Sequence, residues 1–158
     1  MPSHTEIPDT TQELCSLIEK MRPEGLHMRE LARLNELNGG FSSALGMRFT
    51  EVTKEVVAAE IHITHEHLQA SGIVNGGVFC AIAETVGSLM GIVAARGTLV
   101  LGINNNTDFI APVGAGVISA QAKIIQAGRR NQLIQIEMSH RDHLAARATL
   151  RTMVVEQG

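Results

Sequence analysis

The chain contains the segment Ser71-Gly72-Ile73-Val74-Asn75-Gly76-Gly77-Val78-Phe79-Cys80-Ala81-Ile82-Ala83-Glu84-Thr85-Val86-Gly87-Ser88-Leu89-Met90, in which Glu84 is the only charged residue. The uncharged stretch on both sides of this glutamate covers residues 72–95. A carboxylate in apolar surroundings costs free energy unless it has a partner or a chemical use. Because the segment predicts a buried helix that follows a glycine-rich turn, Glu84 is a candidate catalytic group.

The same segment is long enough to cross a bilayer, which takes about 20 apolar residues. Glu84 would then lie at the bilayer centre, at a cost of about 2.5–3.5 kcal/mol. The segment is rich in Gly and Ala and begins with a turn-like Asn-Gly-Gly sequence, and the rest of the chain has the pattern of an ordinary soluble sheet. We therefore predict a buried core helix and no membrane span.

Length and composition bound the class of protein. The 158 residues predict one domain that buries about 68–70% of its unfolded surface without needing a disulfide. The formal net charge is −3, Trp and Tyr are absent, and no basic patch carries interleaved aromatics, which argues against nucleic-acid binding. Cys15 and Cys80 are predicted to be reduced thiols, and residues 1–11 lack the features of a signal peptide. We expect a cytoplasmic location.

Residues 1–40 are predicted to form a helical extension that precedes a domain at 41–158. Thr10 and Glu13 have the spacing of a capping box at the start of a first helix. Pro23 and Gly25 end that helix, and a second short helix is stopped by a glycine pair at 39–40. The extension could be a lid, a dimer contact or a packing arm.

From Met47 onward the hydrophobic period changes to two, which is typical of strands. Thr53-Lys54-Glu55 predicts a turn, and the long apolar helix occupies about residues 76–96. Short joins favour antiparallel hairpins between the later strands. The strands are predicted at residues 56–63, 100–110, 116–126, 132–140 and 145–155.

A helix that is apolar nearly all round must be covered on most sides. A strongly curved antiparallel sheet wrapped around it would achieve this, which is the α+β architecture called a hotdog fold. Its strand edges would be hidden by pairing between subunits, so dimerisation is expected on physical grounds.

Five motifs, in order, resemble those of the hotdog acyl-CoA thioesterases, most closely the PaaI-like and 4-hydroxybenzoyl-CoA thioesterases with a helix-borne glutamate. They are His67-Leu68-Gln69-Ala70-Ser71-Gly72-Ile73-Val74-Asn75-Gly76-Gly77-Val78, Ala83-Glu84-Thr85-Val86-Gly87-Ser88, Asp108-Phe109-Ile110-Ala111-Pro112-Val113-Gly114, Ala127-Gly128-Arg129 and Ala146-Arg147-Ala148-Thr149. The resemblance covers residues 46–155. The family's usual His before Gly-Gly is Asn75 here, which can donate a hydrogen bond but cannot titrate near neutral pH.

The resemblance implies hydrolysis of an acyl-CoA thioester without a metal or redox cofactor, with coenzyme A entering only as part of the substrate. It implies a homodimer, and further a dimer of dimers, with active sites between protomers. One subunit would supply Glu84 and Ser88, and the other would supply the glycine turn or Gln69.

Specific roles follow from the chemistry of thioester hydrolysis. Glu84 would either attack the thioester to form a mixed anhydride or deprotonate water, and the sequence does not separate these. Free N–H groups at the helix start, in the turn formed by Asn75, Gly76 and Gly77, favour negative charge, and the resemblance makes the Gly76 amide the oxyanion donor. The resemblance also implies that Ser88 holds the water or orients the carboxylate, and that Gly77 contacts the substrate.

The remaining assignments carry alternatives. Arg129 and Arg130 could bind coenzyme A phosphates or form a solvated charged turn. Ser88 could instead bond back to the Glu84 carbonyl. His65 and His67 would share one side of a strand, but no convergent ligand set indicates a metal site.

Two other functions stay open. One is a non-catalytic acyl-CoA-binding module or sensor with the same fold. The other is a hydratase or dehydratase, although no His–acid pair is present at the helix start.

Overall fold

A computed structural model describes residues 7–155, so the predicted segments 1–40 and 41–158 reach beyond it at residues 1–6 and 156–158. The helices are α1 (Asp9–Glu19), α2 (Met28–Leu37), α3 (Gly40–Ala44) and α4 (Gly76–Ala94). The strands are β1 (Met47–Val52), β2 (Val57–Ile63), β3 (Val100–Phe109), β4 (Gly116–Ala127), β5 (Asn131–His140) and β6 (His143–Val154).

The six strands form one sheet in the order β1-β2-β4-β5-β6-β3, and each neighbouring pair is antiparallel. The sheet packs on α4, which confirms the predicted α+β hotdog fold. Alternation along the strands places one face inward, as in β5, where Ile134, Ile136 and Met138 are fully buried. The turn predicted at residues 53–55 connects β1 to β2. The join predicted at residues 127–131 contains the turn at 128–130 that connects β4 to β5.

Two glycines of α4 allow the helix to lie very close to the sheet. A Cβ added to Gly87 would lie 2.6 Å from a methyl carbon of Leu150, and one added to Gly91 would lie 2.7 Å from Oε1 of Gln132. Gln132 Nε2 donates to the Gly91 carbonyl at 3.1 Å, and Thr152 Oγ1 donates to Gln132 Oε1 at 2.6 Å. This buried amide and hydroxyl fix the helix on β5 and β6.

Among the described helices, α4 alone is long and apolar enough to cross a membrane by length and composition. In this fold, 61% of the most apolar stretch of 18 residues in α4 is buried inside the protein. The helix is therefore the core of the domain, and its hydropathy is explained by the sheet that covers it.

The extension forms two helices, as predicted, but its first helix begins differently. The residue before α1 is Pro8, no side chain caps the helix, and Thr10 lies inside it, so the predicted capping box at Thr10 and Glu13 is wrong. Glu13 instead accepts two hydrogen bonds from Arg33 of α2, at 2.7 and 2.8 Å, which lower the pKa of its carboxyl. The short helix α3 was not predicted.

The two edges of the sheet differ. At the β1 edge, Asn35 of α2 bonds both backbone groups of Phe49: Asn35 Nδ2 donates to the carbonyl at 2.9 Å, and the Phe49 N–H donates to Asn35 Oδ1 at 2.8 Å. Leu26 N–H also donates to the Val52 carbonyl at 2.9 Å. At the other edge, β3 pairs only with β6 among the described strands, and Leu101 and Ile103 are more than half exposed. The extension therefore covers one edge and leaves β3 open.

Replacing Asn35 by Ala should destabilise the protein by about 1–3 kcal/mol, because the Phe49 N–H and C=O lose their partners in a partly buried place. The change is measured as the shift in urea and thermal midpoints at one fixed protein concentration. Gln121→Ala, which removes an exposed side-chain amide on β4, should cost less than about 0.5 kcal/mol. Equal effects of the two variants would contradict the role given to Asn35.

Candidate active site

Asn75 caps the N-terminus of α4. Its Oδ1 accepts a hydrogen bond from Gly77 N–H at 2.8 Å, and its carbonyl accepts one from Val78 N–H at 2.9 Å. The Gly77 amide predicted to face a substrate is therefore already occupied by Asn75. No described residue accepts a hydrogen bond from Gly76 N–H, so this amide is free for another acceptor. A free N–H at a helix start attracts negative charge.

A cavity of about 330 Å³ opens beside Gly76. Most of its wall is apolar, and Gln69 is the one polar side chain among the residues that line it. Gln69 is exposed and donates from Nε2 to Ser71 Oγ at 2.8 Å. The structure thus brings two of the predicted site residues to one cavity, whose lining consists of Gln69, Ile73, Val74, Gly76, Phe79, Phe109, Ile110, Ala111 and Pro112.

Glu84 and Ser88 lie together two and three turns further along α4. Ser88 Oγ donates to Glu84 Oε1 at 3.4 Å, a long hydrogen bond, and this contact with the carboxylate replaces the alternative bond to the backbone carbonyl. Glu84 is half-buried because β3 crosses over it. A Cβ added to Gly102 would lie 2.9 Å from both the carboxyl carbon and Oε2 of Glu84. The strand leaves room for the carboxylate only because residue 102 has no side chain.

The edge strand β3 runs along the helix face that carries these residues. Gly102 packs on Glu84, Asn105 Nδ2 donates to the Cys80 carbonyl at 2.9 Å, and the Phe109 ring lies against Gly76. Sequence reasoning did not single out Gly102, Asn105 or Phe109. The available signal was a glycine inside a predicted strand, which often marks close approach of another group.

Arg129 and Arg130 lie far from Gly76 within the chain. They occupy the turn between β4 and β5, and Arg129 lines a cavity with Ala94 and Ala95 at the opposite end of α4. A helix of this length separates its two ends by about 27 Å. Arg130 lines an apolar cavity with Leu101 at the start of β3. The structure therefore does not bring this arginine pair to the Gly76 cavity of its own chain.

His67 was predicted to share one side of a strand with His65, but residues 65–67 form a 3-10 turn and His67 is buried. Its Nδ1 accepts from Thr64 N–H at 2.9 Å, so Nε2 carries the proton and donates to the Leu45 carbonyl at 3.0 Å. The His67 carbonyl accepts from Asn75 N–H at 2.9 Å. This histidine therefore holds the cap of α4 in place. Within residues 7–155, no three His, Cys, Asp or Glu side chains are arranged to hold a metal ion.

Replacing Gly102 by Ala should push the Glu84 carboxylate away from Ser88 while leaving the fold intact, because the new methyl group needs the volume that the carboxylate occupies. A crystal structure of the variant would report the carboxylate position and the Ser88–Glu84 distance. Gly39→Ala is the matched control, since the nearest atom to its Cβ is 4.0 Å away. An unchanged Ser88–Glu84 distance in Gly102→Ala would refute the contact's role in placing the carboxylate.

Comparison with known proteins gives a consistent family signal. Residues 71–146 match the thioesterase superfamily. The Mycobacterium tuberculosis protein Rv1847, which is named as an esterase, is 33% identical over 121 residues that span 73% of this chain and 86% of that protein. Its solved structure covers 75% of this chain and 98% of its own, with a TM-score of 0.72.

Two further solved structures share the fold. The thioesterase HI1161 of Haemophilus influenzae is 29% identical, with a TM-score of 0.76 over 86% of this chain and 96% of that one. The Escherichia coli PaaI protein from the phenylacetic acid degradation operon is 18% identical, with a TM-score of 0.72 over 81% of this chain and 93% of that one. At that identity the second likeness concerns the fold alone.

Proposed function

Because this chain belongs to the thioesterase superfamily, we propose that it hydrolyses acyl-CoA thioesters to free carboxylates and coenzyme A. The observation that carries this proposal is a half-buried carboxylate, Glu84, held beneath the edge strand β3. The same helix begins at Gly76, which lines the cavity and whose N–H has no acceptor among the described residues. These are the two groups that acyl transfer from a thioester needs: one to attack or activate water, and one to receive the oxyanion.

The two groups cannot act on one thioester within a single chain. Gly76 and Glu84 are eight residues apart on α4, which corresponds to about 12 Å along the helix axis. An oxyanion donor lies about 3 Å from the carbonyl oxygen, and an attacking atom lies about 3 Å from the carbonyl carbon. A complete site therefore requires Gly76 of one subunit and Glu84 of another.

A two-fold pairing of β3 edges supplies that arrangement. Gly102 lies near the start of β3 and packs on Glu84. Phe109 is the last residue of β3 and packs on Gly76. When two copies of β3 pair antiparallel, the start of one strand lies beside the end of the other. Glu84 of one copy then approaches Gly76 of the second. The pairing would also cover the exposed Leu101 and Ile103.

In the proposed reaction, the thioester oxygen accepts a hydrogen bond from Gly76 N–H, which stabilises the developing negative charge. Glu84 of the other subunit either attacks the carbonyl carbon, with loss of coenzyme A thiolate and later hydrolysis of the mixed anhydride, or takes a proton from the attacking water. Ser88 orients the carboxylate or the water, and Gln69 reaches the mouth of the cavity. Asn75 acts by holding the helix start through its bond to Gly77 N–H.

The same pairing gives Arg129 and Arg130 a role. Arg130 lies beside the start of β3, so the two-fold pairing carries it towards the Gly76 end of the second copy. We propose that this arginine pair binds coenzyme A phosphates across the interface, where guanidinium matches phosphate geometry. Assembly of two dimers into a tetramer is a further expectation from the family resemblance.

No metal or redox cofactor enters the proposed chemistry, which uses a carboxylate, a hydroxyl and backbone amides. Cys15 and Cys80 are free thiols, and burial raises the pKa of the Cys15 thiol, which keeps it protonated. Free thiols are typical of a reducing compartment, so we propose a cytoplasmic location.

Glu84→Gln should lower the rate of thiol release from acyl-CoA by about 100-fold or more while the fold survives, because the amide can neither attack nor accept a proton. Thiol release is followed with a chromogenic disulfide and the fold by thermal unfolding. Glu60→Gln on β2 removes a carboxylate outside the site and should leave turnover unchanged. Near wild-type hydrolysis by Glu84→Gln would discard the proposed role of Glu84. Coenzyme A binding without thiol release by the wild type would favour a binding module.

Mixed dimers test whether the site is shared. A heterodimer of one Glu84→Gln chain and one Gly76→Pro chain, which lacks the Gly76 N–H, is isolated with two affinity tags and should recover about half the wild-type activity, because one of its two shared sites is intact. Each mutant homodimer should be inactive. A heterodimer of a wild-type chain and a chain with both substitutions should stay inactive. Activity in the heterodimer with the doubly substituted chain, together with no activity in the heterodimer of the two singly substituted chains, would show that each chain works alone.

A further inference from the structure

Phe109 lies where the edge strand β3 meets the start of α4. A Cβ added to Gly76 would lie 2.7 and 2.9 Å from two ring carbons of Phe109, so the ring occupies the space of the missing side chain. The Phe109 ring also contacts that of Phe79, with centroids 6.1 Å apart and planes tilted by 39°. Two of the four aromatic residues of the whole chain thus border the free amide.

The two rings differ in freedom. Phe79 is 3% exposed and fixed in the core, whereas Phe109 is 58% exposed at the last residue of β3. A core ring held on all sides cannot yield to a ligand, but a ring with one open face can turn about its χ angles. Of the two rings, Phe109 is therefore the one that the packing of its own chain leaves able to move.

The cavity itself admits only one part of an acyl-CoA. The lining that one chain provides contains no charged residue and one polar side chain, Gln69. The pantetheine arm carries two amides that need hydrogen-bond partners when they leave water, so it fits the open side of the site. An uncharged, apolar acyl group is the part that matches these walls.

We propose that Phe109 sets the size of the acyl group, and that the cavity it closes accepts uncharged apolar acyl groups and rejects those with a terminal carboxylate. This inference rests on the proposed function and adds to it the substrate class of the same site. The ring acts sterically: with Phe109 against Gly76, the depth of the cavity is limited, and an acyl chain longer than that depth must displace the ring. A terminal carboxylate would find no cationic partner among the residues that line this cavity.

The test compares kcat/KM for hexanoyl-, dodecanoyl- and succinyl-CoA in the wild type, Phe109→Leu, Phe109→Ala and Phe41→Ala. The ratio of dodecanoyl to hexanoyl kcat/KM should rise by about tenfold or more in Phe109→Ala and by less in Phe109→Leu, which keeps most of the packing. Phe41 of α3 is 70% exposed and lies outside the cavity, so Phe41→Ala should leave the ratio unchanged. Succinyl-CoA should be hydrolysed about 100-fold or more slowly than hexanoyl-CoA by the wild type.

The outcomes separate this inference from the proposed function. Hydrolysis of hexanoyl-CoA that depends on Glu84, with an unchanged chain-length ratio in both Phe109 variants, would overturn the role of Phe109 alone. A uniform loss across all acyl groups in Phe109→Leu would also overturn it, since that indicates a structural role. Succinyl-CoA turnover equal to that of hexanoyl-CoA would overturn the assigned substrate class. Absence of any thiol release by the wild type would overturn both proposals.

Discussion

The contact between the edge strand β3 and the Glu84 face of α4 determines most of what this protein can do. Gly102, Asn105 and Phe109 meet the helix at Glu84, Cys80 and Gly76, one helical turn or two apart. Because the strand has no side chain over the carboxylate, Glu84 is shielded from water without being displaced. The same contact leaves the outer side of the strand exposed. Shielding of the acid and openness towards a second copy therefore have one structural origin.

The polar groups around α4 divide into those with fixed partners and those without. Asn75 Oδ1 is bonded to Gly77 N–H, His67 joins Thr64 N–H to the Leu45 carbonyl, and Asn105 is bonded to the Cys80 carbonyl. Gly76 N–H has no acceptor among the described residues, and the Glu84 carboxylate has one long bond from Ser88. Groups that hold the structure are satisfied, while the two that the proposed reaction uses remain available.

Local patterns in the sequence predicted the elements well, since periodicity and turn residues act over a few positions. The apolar helix, the later strands and the shared face of Glu84 and Ser88 follow from spacing alone. The capping box at Thr10, the strand assignment of His65 and His67, and the omission of α3 were errors, because tertiary partners such as Arg33 and Leu45 decide those places. Gly102 and Phe109 could not be tied to α4 in advance, since their partners are distant in sequence.

The hydrogen bonds from Asn35 of α2 to β1 affect how many copies of the chain can associate through their sheet edges. A sheet with two unpaired edge strands can add subunits at both edges and grow into an open filament. In this chain, backbone groups of Phe49 and Val52 on the edge strand β1 already have hydrogen-bond partners in the extension. Of the two edge strands in the described sheet, β3 is the one that remains open. Addition through backbone pairing therefore ends once β3 of one copy pairs with β3 of another. If copies join through their sheets in the proposed way, the extension favours a closed assembly over an open one.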